Sequence, residues 1–583
     1  MTEVVDPLVL LIAAVVVIAV ATALAPKIGI AGPLILVILG IGISLLPFVD
    51  VPEIDPEIIL VGVLPPLLYS AAVSLPAIEF RRDFGPISGL SVLLVLISAI
   101  ALAFFFKAMI PSLDIMLALA LGAILSPTDA VATSIVKRLG ISRRVTTLLE
   151  GESLLNDATS LVILRTAVAA AAVGSIPAGG IVGAFVWGVV IAVVIGAIVG
   201  WLNLRLRALI RHSAANTAVG FVVPFAAYLP AEQLQGSGLV AAVVAGIVTS
   251  QGSARWFSPE QRLSDELNWR TVELVLEGGV FLLMGLELKE ILDQNVKSDH
   301  GIWQGFSLAL VALGIVLVVR GAYVSVLVWL QSRRARGKQR KRLELISARL
   351  DEVAAAPPRD VPSRDARGPV GPERRERRLA SMRSRVSRSF ADLDYYQASP
   401  LGWKHGTIIV WAGMRGVVTL AAAQTLPRDT PERPLLIFVA FLVAVGSLVI
   451  QGFTLPWLVR MLRLSGDDED LLAREDQRRI DEELRDAAGA ALSGPGLARR
   501  DGTPFPDGLA ERVGSRFTEP PDDETTAIGR DLLELRLAMI EAMRKKLIEL
   551  SSGGTYSTAA LRHALAELDA DELSLQLRLD DQD

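Results

Sequence analysis

Long apolar runs, cut at short intervals by polar ones, dominate the chain. Hydropathy in windows of about 19 residues predicts roughly thirteen spans. The first seven cover 8–25, 28–46, 57–75, 87–109, 114–135, 145–173 and 180–203. The others cover 215–230, 236–251, 271–288, 304–330, 405–426 and 434–462, the eighth and ninth being short. Uncharged runs of this length predict transmembrane helices. The expected fold class is an all-α polytopic membrane protein.

The loops alternate in charge. Those with Lys27, Arg81–Arg82, Lys137–Arg144, Arg205–Arg211 and Arg255–Arg270 hold the local positive clusters. Loops such as FVDVPEIDPE and LPRDTPERP are acidic or weakly charged. Short basic loops stay cytoplasmic, which predicts a multi-pass plasma-membrane protein with its N-terminus outside and its C-terminus inside. MTEVVD lacks the basic start of a secretory signal, so the first run reads as a retained span.

The predicted organisation is a transmembrane part over 1–330, a basic cytoplasmic loop over 331–403, a second transmembrane part over 404–462 and an acidic cytoplasmic tail over 463–583. The loop carries RRARGKQRKR and PERRERRLASMRSRVSRS. It reads either as a surface for anionic lipid headgroups or as a solvated loop obeying the charge rule. In the tail, RDLLELRLAMIEAMRKKLIEL and STAALRHALAELDADELSLQL show apolar residues at helical spacing, on either side of the breaker SSGGTYS.

Composition narrows the chemistry. The 583 residues are 52% hydrophobic, include no cysteine and only four histidines, His212, His300, His405 and His563. Disulfides, thiolate metal sites and thiol catalysis are excluded, and no HExxH or Walker A sequence occurs. Nothing indicates a cofactor or a nucleic-acid partner.

Ionisable residues inside apolar spans cost at least about 2.5–3.5 kcal/mol each, so each is a functional candidate. In EGESLLNDATSLV, Asp157 stands about thirteen residues past Arg144, roughly 20 Å deep at 1.5 Å per residue. Ser153, Asn156 and Asp157 share one helix face by their i, i+3, i+4 spacing, and oxygen groups of this kind suit hard cations. In LGAILSPTDAVATS, Thr128 and Asp129 reach a similar depth from the other side. Ser126 and Pro127 read there as the N-cap and first position of a restarted helix. Capping of that half-helix is the alternative role for Asp129. Arg320 in VLVVRGAYV is a buried charge that wants a partner, and Glu152 is one candidate. Arg415, between Gly413 and Gly416 in WAGMRG, marks a second interruption. Arg165 reads as snorkelling. Glu273 and Glu277 could flank an ion path or face a cytoplasmic funnel. Spans four to six and eleven to thirteen are offset by seven, so they run in opposite senses, each with an interrupted middle member. Such inverted repeats with paired broken helices mark the midplane site of secondary transporters.

SPTDAVA, then EGESLLNDATSLV, then WAGMRGVVTLAA resemble the monovalent cation:proton antiporters, in the sodium/proton exchanger branch. The resemblance covers about 8–462. It implies a dimeric thirteen-span fold with two crossed, broken helices in a core domain, a separate dimerisation domain and elevator-like alternating access. By matching motif positions, Asp157 is similar to the carboxylate that carries cation and proton. Asn156, Ser153, Thr128 and Asp129 resemble its shell, Glu152 and Arg320 the structural ion pair, and Arg415 the arginine of the second broken helix. The Asn-Asp pair at 156–157 is similar to that of electroneutral relatives. The implied function is exchange of protons for Na+, or for Li+ or K+, at one site, and so a transporter and no enzyme. A cation channel or a membrane sensor are the alternatives. One departure stands out: LPPLLYSAAV puts Ser70 where much of the branch has a glutamate.

Overall fold

The computed structural model describes residues 2–46, 55–129, 131–173, 178–210, 212–297, 302–334 and 400–464, with scattered positions between 345 and 396 and between 533 and 576. Two units divide the chain, Met1–Glu469 and Asp470–Asp583. In the second, the described positions Leu533, Leu537, Ile540 and Met543 are helical, with Ile540 buried. Most of the basic loop and of the predicted tail helices lies outside the described residues.

The first unit is built of helices. They are α1 (Thr2–Ile28), α2 (Gly32–Ser44), α3 (Ile58–Ser74), α4 (Ala77–Arg82), α5 (Phe84–Met109), α6 (Ile115–Ile124), α7 (Val131–Arg138) and α8 (Arg143–Val173). There follow α9 (Ala178–Leu209), α10 (Ser213–Gln233), α11 (Gly238–Trp256), α12 (Pro259–Leu286), α13 (Leu288–Lys297), α14 (Ile302–Arg334), α15 (Trp403–Trp411), α16 (Val417–Gln424) and α17 (Arg433–Leu462). Every predicted apolar span falls on one of these, and spans five and twelve each fall on two. Among the described residues, α1, α5, α8, α9, α10, α14 and α17 contain stretches long and apolar enough to cross a membrane. Trp187, Val190, Ile198 and Trp201 of α9 are exposed, as side chains facing lipid would be.

Two packing groups form. In one, α9 and α10 lie on α11, α11 on α3 and α2 on α12. Small residues make these crossings close. A Cβ at Gly196 would overlap the Ala241 carbonyl, and one at Gly200 would stand 2.8 Å from the Ala245 carbonyl. In lipid, where helices gain no hydrophobic drive to associate, such close backbone contact supplies the packing. Tyr69 of α3 packs on Trp269 of α12 with ring centroids 5.1 Å apart. We call this group the scaffold.

The other group, the bundle, joins α5 to α6, α6 to α8, and α14 to α15 and α17. Phe106, Phe438 and Phe441 are fully buried in it. Its helices α6/α7 and α15/α16 are each interrupted midway. The first restart differs from the expectation. Ser126 and Pro127 do not open a helix: the chain leaves helical geometry after Leu125, Pro127, Thr128 and Asp129 are non-helical, and α7 covers Val131–Arg138. The Asp129 N–H instead donates to the Met414 carbonyl at 2.7 Å. A long-range bond thus ties the two interruptions together and holds the segment out of the helix.

Candidate functional site

A cavity of about 250 Å³ runs between bundle and scaffold. Asp129, Ser153 and Asp157 line it from the bundle, and Glu273 and Glu277 of α12 from the scaffold. One end reaches the Lys137–Glu150 ion pair, where the Lys137 side chain is 59% exposed. This is the basic end of the unit, beside the Arg143–Arg144 start of α8.

Asp157 is 9% exposed. Its carboxylate has no hydrogen bond or ion pair among the described residues; its electrostatic neighbour is Asp129. A buried carboxylate without a partner pays the full cost of desolvation when charged. It can shed that cost by taking a proton or by holding a cation.

Asn156 and Thr128 are not among the cavity's lining residues. Asn156 is fully buried and its Nδ2 donates to Thr128 Oγ1 at 2.6 Å. The Thr128 hydroxyl in turn donates to Glu152 Oε1 at 3.1 Å. Glu152 accepts from both terminal nitrogens of Arg320, with Arg320 Nη2 at 2.8 Å from Glu152 Oε2. Arg320 Nε donates to the Ile409 carbonyl at 2.9 Å. A continuous line of hydrogen bonds thus runs from the neighbour of Asp157, through the first interruption, to α14 and α15. It fixes the α8 turn from behind and leaves Asp157 to the cavity.

Arg415 serves the interruptions. Its Nε donates to the Leu125 carbonyl at 3.1 Å and its Nη1 to the Gly413 carbonyl. Those carbonyls stand at the C-terminal ends of α6 and α15, where the helix dipoles are negative and a cation is favoured. The Arg415 N–H donates to Ser447 Oγ at 2.9 Å. At the opposite-signed ends, Asp129 precedes α7 and its carboxylate fills the space where a Cβ at Gly416, the N-cap of α16, would lie. A Cβ at Gly413 would stand 2.7 Å from Arg320 Nε. Both glycines are therefore required for space, not for an unusual backbone.

Away from the basic end, two contacts join bundle and scaffold. Arg165 of α8, expected to snorkel, has a side chain 52% exposed and pairs with Glu232 of α10. Gln424 of α16 donates to Glu287 at the end of α12 at 2.8 Å. Ser70, in the position of interest on α3, is buried and donates to Glu273 Oε2 at 3.4 Å.

Thr133, which no motif singles out, also lines the cavity. Thr133 and Lys137 stand four residues apart on α7 and share one of its faces.

The family model for the sodium/hydrogen exchanger transmembrane region matches residues 12–349 and 382–461. The chain is 28% identical to an uncharacterised Na+/H+ exchanger of Mycobacterium tuberculosis over 584 residues, covering 97% of this chain and 96% of that one. It is 28% identical to the low-affinity Na+/H+ antiporter NhaS1 of Synechocystis over 450 residues, 75% of this chain and 71% of that one. The fold is similar to that of the sodium proton antiporter MjNhaP1 from Methanocaldococcus jannaschii, with a TM-score of 0.53 at 16% identity, covering 79% of this chain and 99% of that one. With the family model matching well over half its length, the chain belongs to the sodium/hydrogen exchanger family and is a multi-pass membrane transporter, not an enzyme.

Proposed function

We propose that this protein exchanges one proton for one Na+ across the plasma membrane by alternating access, with Asp157 as the site both ions share. The observation that carries this reading is the 9% exposed Asp157 carboxylate on the cavity wall, without a hydrogen bond or ion pair among the described residues. Burial disfavours the charged, empty site. Loaded with a proton or a cation, the site is neutralised and can cross the membrane barrier; empty, it crosses poorly. The two ions exclude each other, so their fluxes couple without ATP. Asp129 and Ser153 add oxygen ligands, and Thr128 and Asn156 position the helix turn that bears Asp157. Glu152, Arg320 and Arg415 hold the two interruptions in register as crossed, broken helices.

The basic end is cytoplasmic by the positive-inside rule, so the cavity faces inward, while the Arg165–Glu232 and Gln424–Glu287 contacts lie on the outer side. The scaffold then supplies the dimerisation surface and the bundle the moving part. The name of the Synechocystis relative supports Na+ as the cation. The test is dissipation of an imposed pH gradient in proteoliposomes as Na+, Li+ and K+ are added in turn. Wild type responds to Na+ with saturation, and Asp157→Asn abolishes the response. Exchange by D157N at the wild-type rate would sink the assignment, and Na+ flux without a proton counter-flux would point to a channel.

A further inference from the structure

The bundle wall of the cavity offers a cation the oxygens of Asp157, Asp129, Ser153 and Thr133; Ser134 and Glu150 also line it but are bonded to the Val131 carbonyl and to Lys137. Thr133 is 4% exposed and its Oγ1 has no hydrogen-bond partner among the described residues, although the residue lines the cavity. All of these stand on one side. Hard cations are held by about six oxygens or more, so the rest of the shell must come from water or from the facing wall. There α3 presents mostly apolar side chains; of its hydroxyls, Ser74 lines the cavity but donates to the Ala71 carbonyl, and Ser70 is turned to Glu273. Glu273 and Glu277 are one helical turn apart on α12, and both line the cavity. Glu273 is held by Ser70. Glu277 has no hydrogen bond or ion pair among the described residues, and its charge is within reach of Asp129 and Glu273.

We propose that Glu277 is a cation ligand contributed by the scaffold, closing over Asp157, Ser153 and Thr133 a shell for a partly hydrated monovalent cation that the bundle alone leaves one-sided. The serine on α3 then has a consequence: the scaffold's carboxylate comes from α12, and Ser70 orients the neighbouring Glu273 instead. This inference rests on Asp157 being the transport site.

The experiment is Na+-dependent exchange in proteoliposomes for wild type, D157N, Glu277→Gln, Glu277→Asp and the double variant Ser70→Glu/Glu277→Gln. In parallel, the Na+ concentration that half-maximally raises the Tm of the purified protein is measured. E277Q is expected to raise the KM for Na+ tenfold or more with a smaller fall in maximal rate. It should need correspondingly more Na+ for the thermal shift, and S70E/E277Q should recover part of the lost affinity. A KM within twofold of wild type in folded E277Q overturns the proposal. If folded E277Q exchanges too slowly to measure, an Na+-induced thermal shift at the wild-type concentration overturns it, and loss of that shift supports it. If E277Q does not fold, E277D carries the same criteria. Exchange by D157N would defeat the underlying reading of the site, whereas an inactive D157N beside an unaltered E277Q would defeat only the role of Glu277.

Discussion

Glu152 and Arg320 face each other across the bundle as a buried ion pair, each side chain 2% exposed, although 168 residues separate them. The pair does more than neutralise two charges. Glu152 also accepts from Thr128, and Thr128 from Asn156. Removing one partner of a buried pair leaves a bare charge and costs about 3–5 kcal/mol, whereas removing both can be nearly neutral. Arg320→Gln and Glu152→Gln are each expected to lower the Tm of the solubilised protein markedly. R320Q/E152Q should recover much of the loss, giving a clear coupling energy in a double-mutant cycle. Additive losses would show that the pair does not act as a unit.

Gly416 is expected to be irreplaceable for a local steric reason. Its φ of −117° is ordinary for any residue, but an added Cβ would enter the space of the Asp129 carboxylate. Overpacking of this kind costs about 1–3 kcal/mol, here by pushing Asp129 off the cavity wall. Gly416→Ala should lower exchange at least tenfold while the protein still elutes as a single folded species. Near-normal transport would mean that Asp129 can move without harm.

The Arg165–Glu232 and Gln424–Glu287 contacts join bundle to scaffold away from the basic end. If the two groups move against each other, these contacts hold the conformation whose cavity reaches Lys137. The half-exposed Arg165–Glu232 pair is worth no more than about 1 kcal/mol, or about a fivefold population shift. The part-buried Gln424–Glu287 bond, made to a carboxylate, is worth about 1.5–3 kcal/mol. The chain has no cysteine, so a single Ser134→Cys in the cavity wall reports access cleanly. Adding Glu232→Ala and Glu287→Ala should slow its labelling from the basic side several-fold. An unchanged rate would remove the latch role.

What could be read from the sequence divides by whether a side chain or the backbone carries the interaction. A buried charge needs a counter-charge, so Glu152 could be named beside Arg320 before any coordinates. The interruptions at SPTDA and WAGMRG were likewise marked by proline and glycine in apolar runs. The restart at Val131 was not legible, because it depends on the Asp129 N–H meeting the Met414 carbonyl, and a carbonyl has no signature in sequence. The partners of Arg415 escaped for the same reason: they are the Leu125 and Gly413 carbonyls. Glu273 and Glu277 stood at the right spacing, but only the packing of α12 shows which way they face.

The hydrogen bond of Asn156 gives a test of the proposed stoichiometry. Its amide donates to a threonine hydroxyl whose own proton is already given to Glu152. A carboxylate in its place would set acceptor against acceptor in a fully buried position, unless it held a proton to donate to Thr128. In Asn156→Asp the introduced group is therefore expected to carry a proton when the site is empty of cation, and to exchange it as the site turns over. That adds a proton to each cycle and makes the exchange electrogenic. In proteoliposomes clamped with potassium and valinomycin, wild-type exchange should be indifferent to the imposed potential, while N156D should speed up or slow down with its sign. If N156D exchanges and remains indifferent, the residue beside Asp157 does not set the proton count. Thr128→Val separates the two effects of the change, since it removes the hydrogen bond without adding a titratable group and should weaken exchange while leaving it electroneutral.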